Sequence, residues 1–106
     1  MDKRKVELIR ELKIFKKKIS KKYKIDKFIL FGSRANGEVH KDSDVDLIVV
    51  SKSFDGVSVL KRAPDIHMQW DLDYAVDFVC YTPKEFDKLR KRVSIVSEAL
   101  KNGVEI

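Results

Sequence analysis

Leu8, Leu12, Phe15 and Ile19 recur at spacings of four, three and four residues, so they form one stripe of an amphipathic helix expected from about Asp2 to Lys22. The other face is mostly Lys, Arg and Glu. The lysines at 16–18 and at 21 and 22 fall in its last turns, where cations suit the helix dipole, so the run reads as a solvated scaffold face. Phe28-Ile29-Leu30-Phe31 is a short continuous apolar run ending at Gly32, the pattern of a buried strand stopped by a turn. Arg34 to Glu38 reads as a helical turn closed by Gly37. Val45 to Val50, apolar and β-branched, gives a second strand.

From about Gly56 to Trp70 the pattern is less decided. Val57, Val59, Leu60, Ala63, Ile66 and Trp70 fit a helix that Pro64 starts, kinks or interrupts. Tyr74 to Tyr81 reads as a third strand. After it, Thr82 can cap a helix, Pro83 suits the first helical position and Glu85 can close a capping box; this helix is expected to run to about Arg92. Ser94 begins another helix through Lys101 with Ile95, Val96, Ala99 and Leu100 on its apolar side, and Gly103 stands where it should end. Val104 to Ile106 adds a small edge strand. The order α-β-α-β-α-β-α-α predicts an α/β (α+β) fold, a small mixed β-sheet flanked by helices, with 1–106 forming one domain and no internal repeat or linker.

Composition adds a bias in charge. The 106 residues carry 23 Lys and Arg against 17 Asp and Glu, a net +6 that favours the approach of polyanions such as nucleotides. The carboxylates gather between Asp42 and Asp46 and between Asp71 and Asp77, apart from the basic segments before Lys27 and from Lys84 to Arg92. Cys80 is the only cysteine, which excludes an internal disulfide and points to a cytoplasmic setting. No apolar run approaches the roughly 20 residues that span a bilayer, and the first residues lack the apolar core of a signal peptide.

The second strand is apolar on both faces except at its entry. There Asp44 and Asp46 stand two residues apart, which puts them on one face with Ile48 and Val50, about 7 Å apart at Cα. Ionised carboxylates at the edge of an apolar layer need cations, helix amides or a metal to offset them. Mg²⁺ takes oxygen ligands and combines one or two carboxylates with substrate phosphates, so the Asp-x-Asp pair is half of such a site. Asp77 interrupts the otherwise apolar Ala75-Val76-Asp77-Phe78-Val79 and is the natural third carboxylate; Asp71 and Asp73 precede the strand and suit turns or caps better. Gly32-Ser33 lies where a strand meets a short helix, a junction that aims backbone N–H groups at an anion.

Several familiar motifs are absent. Asp42-x-Asp44-x-Asp46 imitates a calcium loop, but Leu47 stands where that loop needs Gly and Ser53 where it needs Glu. There is no P-loop and no Gly-x-Gly-x-x-Gly. His40 and His67 lack a zinc pattern, Cys80 reads as a buried structural thiol, and Trp70 as a core or partner-contact residue.

Taken together, Gly32-Ser33-Arg34-Ala35-Asn36-Gly37 followed by Ser43-Asp44-Val45-Asp46-Leu47-Ile48-Val49-Val50 resembles the signature of the DNA polymerase beta-like nucleotidyltransferase superfamily. In particular it is similar to the minimal nucleotidyltransferases, and the likeness extends through Asp77 to the closing segment Ala99 to Ile106. The resemblance implies a polymerase beta palm-like fold and transfer of AMP or another nucleoside monophosphate from ATP or a related triphosphate to a hydroxyl. It implies two Mg²⁺ ions held by Asp44, Asp46 and Asp77, terminal phosphates held by Gly32 and Ser33, and a secondary phosphate contact at Arg34. It further implies a HEPN-domain ribonuclease toxin as partner, neutralised as by an antitoxin through AMP on a tyrosine.

A domain of this size must borrow an acceptor surface from a partner or from a second copy of itself, and the edge of a small sheet invites such pairing. The competing reading is a non-catalytic antitoxin that neutralises its partner by occlusion. Direct nucleic-acid binding is not expected, because no aromatic-basic recognition motif is present.

Overall fold

The structure, a computed structural model, describes residues 3–32 and 44–106. Ser33, Arg34, His40 and the helical turn expected over Arg34–Glu38 lie outside the described residues. The elements are α1 (Lys3–Ile19), β1 (Ile25–Phe31), β2 (Val45–Ser51), a 3-10 turn (Lys52–Phe54), α2 (Val59–His67), β3 (Val76–Tyr81), α3 (Pro83–Leu89), α4 (Ile95–Asn102) and β4 (Val104–Glu105). The four strands form one mixed sheet in the order β3-β2-β1-β4. β1 runs antiparallel to both β2 and β4, whereas β2 and β3 are parallel.

Strand alternation divides the core in two. On one face, Val45, Leu47 and Val49 of β2 join Phe28, Leu30, Phe78 and Cys80 under the α1 stripe of Leu8, Leu12, Phe15 and Ile19 and under Ile66 of α2. On the other, Ile48 and Val50 join Ile29 beneath Phe86 of α3 and Val96 and Ala99 of α4. Both faces are covered, which is why β2 reads as a nearly continuous apolar run. Trp70 packs edge-on against Phe15 at 5.0 Å between ring centres, and its indole N–H donates to the Tyr74 carbonyl at 2.8 Å, so its role is structural.

Among the described residues, the expected elements are present with shifted ends. β1 begins at Ile25, three residues before the apolar run, because the polar Asp26 and Lys27 still pair with β2 across an irregularity in register. The helix read over 56–70 is only Val59–His67; its first turns are taken by Gly56, at φ +78°, and by the chain turning out of the 3-10 segment. Pro64 sits inside that helix, where it removes one hydrogen bond to the Leu60 carbonyl. The Thr82–Glu85 capping box forms as read, with Pro83 in the first turn, but α3 stops at Leu89.

Gly103 ends α4 for a reason other than a left-handed cap. Its backbone is extended (φ −85°, ψ 177°), and a Cβ there would lie 2.4 Å from the Ala99 carbonyl oxygen and 2.8 Å from that of Leu30. Glycine therefore lets the end of α4 close directly onto the backbone of β1.

Candidate active site

Three strand ends lie abreast because of the mixed topology. β1 ends where β2 begins, with Phe31 opposite Asp46, and β3 starts alongside, with Asp46 opposite Asp77. Gly32 follows Phe31, so a row across the sheet reads Gly32, Asp46, Asp77. Asp44 is exposed and stands one residue before β2. Asp46 and Asp77 fall on the α3/α4 face of their strands, in alternation with the buried Val45, Leu47, Val76 and Phe78 of the opposite face.

The electrostatics of this row are unbalanced. Asp46 is half-buried. Burial pushes its carboxyl above the usual carboxylate range, and the charges of Asp77 and then Asp44 push it further the same way. Among the described residues, no ion pair reaches any of the three carboxylates. Nor do three acidic, His or Cys side chains among them converge into a ready-made cage for a metal. An all-oxygen set of this kind, with surplus negative charge, suits a hard divalent cation whose remaining ligands come from water and phosphate oxygens.

Gly32 is fitted to this row by two separate constraints. It has φ +77°, the left-handed region that side chains rarely adopt, and a Cβ on it would lie 2.4 Å from Oδ2 of Asp46. Only glycine lets the β1 turn pass against that carboxylate. Gly32→Ala is expected to cost about 1–3 kcal/mol of stability, from backbone strain and a displaced Asp46. Urea titration checks the stability.

Two clefts flank the row. Beside Gly32, a cavity of about 260 Å³ is bordered by Phe31, Ile95, Glu98, Ala99 and Asn102. Beside Asp77, one of about 480 Å³ lies between α2 and β3. A further cleft of about 490 Å³, with Asp26, Val50, Pro83 and Phe86 in its walls, lies at the opposite ends of β1 and β2, far from the carboxylates. Volume alone does not select the site; the charge does.

Arg62 is the important residue that sequence reasoning passed over. It is buried on α2, donates from Nε to the Val57 carbonyl at 3.0 Å and from Nη1 to the Cys80 carbonyl at 3.4 Å, and pairs through Nη1 with Glu85 Oε1 at 2.6 Å. Glu85 also accepts from the Thr82 N–H at 2.8 Å. Partial burial raises the Glu85 carboxyl, but the Arg62 and Thr82 hydrogen bonds outweigh it and hold the group below its ordinary value. The signal available was an arginine within an apolar helical pattern and a capping glutamate with acceptor capacity to spare. Cys80 is buried as read, and burial pushes its thiol up to about 12, which leaves it inert at neutral pH. His67 is exposed beside the Phe78 ring.

The molecule is thus an α/β sandwich with an acidic, glycine-bordered row at one end of a mixed sheet. The chain belongs to the nucleotidyltransferase domain family, which matches it over residues 12–105. It is 33% identical over 103 residues to a protein of Methanocaldococcus jannaschii that bears the name "Putative protein adenylyltransferase", covering 95% of this chain and all of that one. In three dimensions it resembles the crystal structure of a Sulfolobus solfataricus protein described as a "putative nucleotidyltransferase", with a TM-score of 0.67 over 95% of this chain and 80% of that one. At 20% identity that likeness speaks for the fold alone. The protein is accordingly a transferase that takes its nucleotidyl group from a nucleoside triphosphate. Among the described residues, no helix is long and apolar enough to cross a membrane.

Proposed function

We propose that this protein is a Mg²⁺-dependent protein adenylyltransferase that moves AMP from ATP to a hydroxyl on a partner protein. The observation that carries the reading is the row Gly32, Asp46, Asp77, with Asp46 held partly protonation-prone by burial and by two neighbouring carboxylates. A site with that surplus charge favours cation binding, and the family supplies the triphosphate. Asp44, Asp46 and Asp77 would hold Mg²⁺, two ions on the family pattern, which when bound neutralises the triphosphate and polarises its α phosphorus.

The chain's own residues have distinct tasks. Gly32 brings backbone to the terminal phosphates without a side chain in the way, and Ser33 and Arg34 follow it in sequence to complete the phosphate contact. Asp77, at the β3 end of the row, takes the proton from the acceptor hydroxyl as its oxygen attacks. Pyrophosphate leaves on the Gly32 side. The name of the Methanocaldococcus relative supports a protein acceptor. The resemblance of the sequence to minimal nucleotidyltransferases supports a HEPN-domain toxin as that partner, a tyrosine as the acceptor and an antitoxin role.

The test is transfer from ATP labelled at one phosphate at a time, in the presence of Mg²⁺ and the co-purified partner. Label from the α position should stay on the partner, with a mass gain of one or more AMP units, and label from the γ position should appear only in pyrophosphate. Retention of γ label would make the enzyme a kinase. Neutralisation of the partner without any α label would favour occlusion over catalysis.

A further inference from the structure

Among the described residues, no strand pairs with the outer edge of β3 beside Asp77, and the backbone groups of that edge can be assigned. The Val45 N–H donates to the Ala75 carbonyl at 2.8 Å, so Ala75, and with it Asp77 and Val79, directs its backbone toward β2. Val76, Phe78 and Cys80 therefore face away. The bond from Arg62 Nη1 to the Cys80 carbonyl agrees with this, because Arg62 approaches from the outer side. No strand among the described residues lies beyond β3. Val76 and Phe78 thus present N–H and C=O groups outward at the strand repeat, and Arg62 closes the slot at the Cys80 end.

The slot has an apolar wall. Ala63, Pro64, His67 and Met68 of α2 and the residue after it, four apart in pairs, form one stripe facing Val76, Asp77 and Phe78 across the cleft of about 480 Å³. Met68 is 81% exposed, so its side chain is accessible to a segment lying in the slot. Outward backbone donors and acceptors along one wall and mostly apolar side chains along the other match a short extended polypeptide.

We infer that the acceptor is delivered as an extended segment of the partner protein added to the outer edge of β3, with its hydroxyl-bearing residue opposite Asp77. The inference rests on the adenylyltransferase reading above. In a parallel pairing, that residue donates its N–H to the Val76 carbonyl and accepts from the Phe78 N–H, which sets its side chain on the face that carries Asp77 and Asp46. Its hydroxyl oxygen then attacks the α phosphorus of ATP, the bond from that phosphorus to the bridging oxygen breaks, pyrophosphate departs with the electron pair, and the hydroxyl proton passes to the Asp77 carboxylate. The polar order of the row fits this entry, with phosphates at the β1 end and acceptor at the β3 end.

The experiment uses the full chain, Mg²⁺, α-labelled ATP and a degenerate heptapeptide library with Tyr, Ser or Thr at its centre, alongside the same library N-methylated on alternate residues. Mg-ATP affinity is measured in parallel by calorimetry. The expected result is labelling of the plain library, at least a tenfold loss with the N-methylated one, and a similar loss in Met68→Glu and in Val76→Pro. Proline at Val76 removes an outward N–H and leaves the β2 ladder intact. A protein that binds Mg-ATP yet labels both libraries equally, labels neither, or ignores both substitutions overturns the edge-strand proposal and leaves the transferase reading standing. Failure to bind Mg-ATP overturns the reading beneath it. Circular dichroism and thermal melting of the variants separate lost docking from lost fold, and Met68→Glu, on an exposed side chain, remains decisive if Val76→Pro does not fold.

Discussion

Asp46→Asn is expected to lower AMP transfer by at least about a thousandfold, a rise of about 4 kcal/mol in the barrier, while making the metal-free protein slightly more stable. The two effects have one cause. Asp46 is the middle member of the row, half-buried between Gly32 on β1 and Asp77 on β3. Asn keeps the shape and removes the charge, so it relieves burial cost and repulsion without metal and, on the proposed Mg²⁺ reading, removes the most enclosed of the three carboxylates.

The stability gain has a defined pH window. Asp46 has its folded-state carboxyl raised above the unfolded value, first by burial and then by Asp77 and Asp44. Ionised Asp46 therefore disfavours the fold above the raised value, and the cost disappears as pH falls below the unfolded value near about 3.9. The advantage of Asn should be full at pH 7, small because Asp46 is only half-buried and its repulsion is screened by solvent, and should vanish at pH 3. Adding Mg-ATP should reverse the order, stabilising the parent protein and leaving the variant unmoved. Thermal melts at both pH values with and without Mg-ATP, together with α-label transfer, check all of this. A variant that transfers AMP at near-parental rates would remove Asp46 from the chemistry.

Arg62→Ala should give the largest loss of stability outside the hydrophobic core, about 2–4 kcal/mol, read as a drop in Tm of at least about 10 °C. One buried side chain satisfies two backbone carbonyls, holds Glu85 at the start of α3 and lies over the Phe54 ring, with 5.9 Å from its guanidinium carbon to the ring centre. Removing it leaves the Cys80 carbonyl and Glu85 without their cation. Arg62→Lys should recover only part, because a single ammonium cannot reach three partners in the geometry of a planar fork.

The loss should also depend on pH. Glu85 is held below its ordinary value, so its contribution is present above the unfolded carboxyl value of about 4.3 and is lost as pH falls through the lowered folded value. The gap between parent and variant in urea titrations should narrow between pH 5 and pH 2 as Glu85 is protonated in both. A gap that stays constant over that interval would show that Arg62 acts by packing and backbone bonds alone.

Much of the fold was legible because it is written in local periodicity. The stripe of Leu8, Leu12, Phe15 and Ile19 and the run Val45 to Val50 are buried as their spacing requires, and the Thr82–Glu85 box is made of neighbours in sequence. Less legible were features settled by distant backbone. Ile25 to Lys27 became strand because β2 offered partners, and Gly103 was required by close approach to the Ala99 and Leu30 carbonyls rather than by a left-handed cap. Arg62 belongs to no local motif, because its four partners, Phe54, Val57, Cys80 and Glu85, lie outside its helix, before and after it in the chain.

The sequence by itself determined which faces of the strands are apolar, that carboxylates interrupt them at Asp46 and Asp77 with Asp44 just ahead of β2, and that a glycine stops β1. Those follow from residue type and spacing, since side-chain direction repeats every two residues in a strand and every 3.6 or so in a helix. Only the tertiary structure decided that β3 lies parallel to β2 with Asp77 level with Asp46, that Gly32 lies against the Asp46 carboxylate, and that β3 is the outermost strand among the described residues, with a helix stripe beside it. Strand order and register come from non-local pairing, in which many residues choose one arrangement together, and no window of sequence contains that choice.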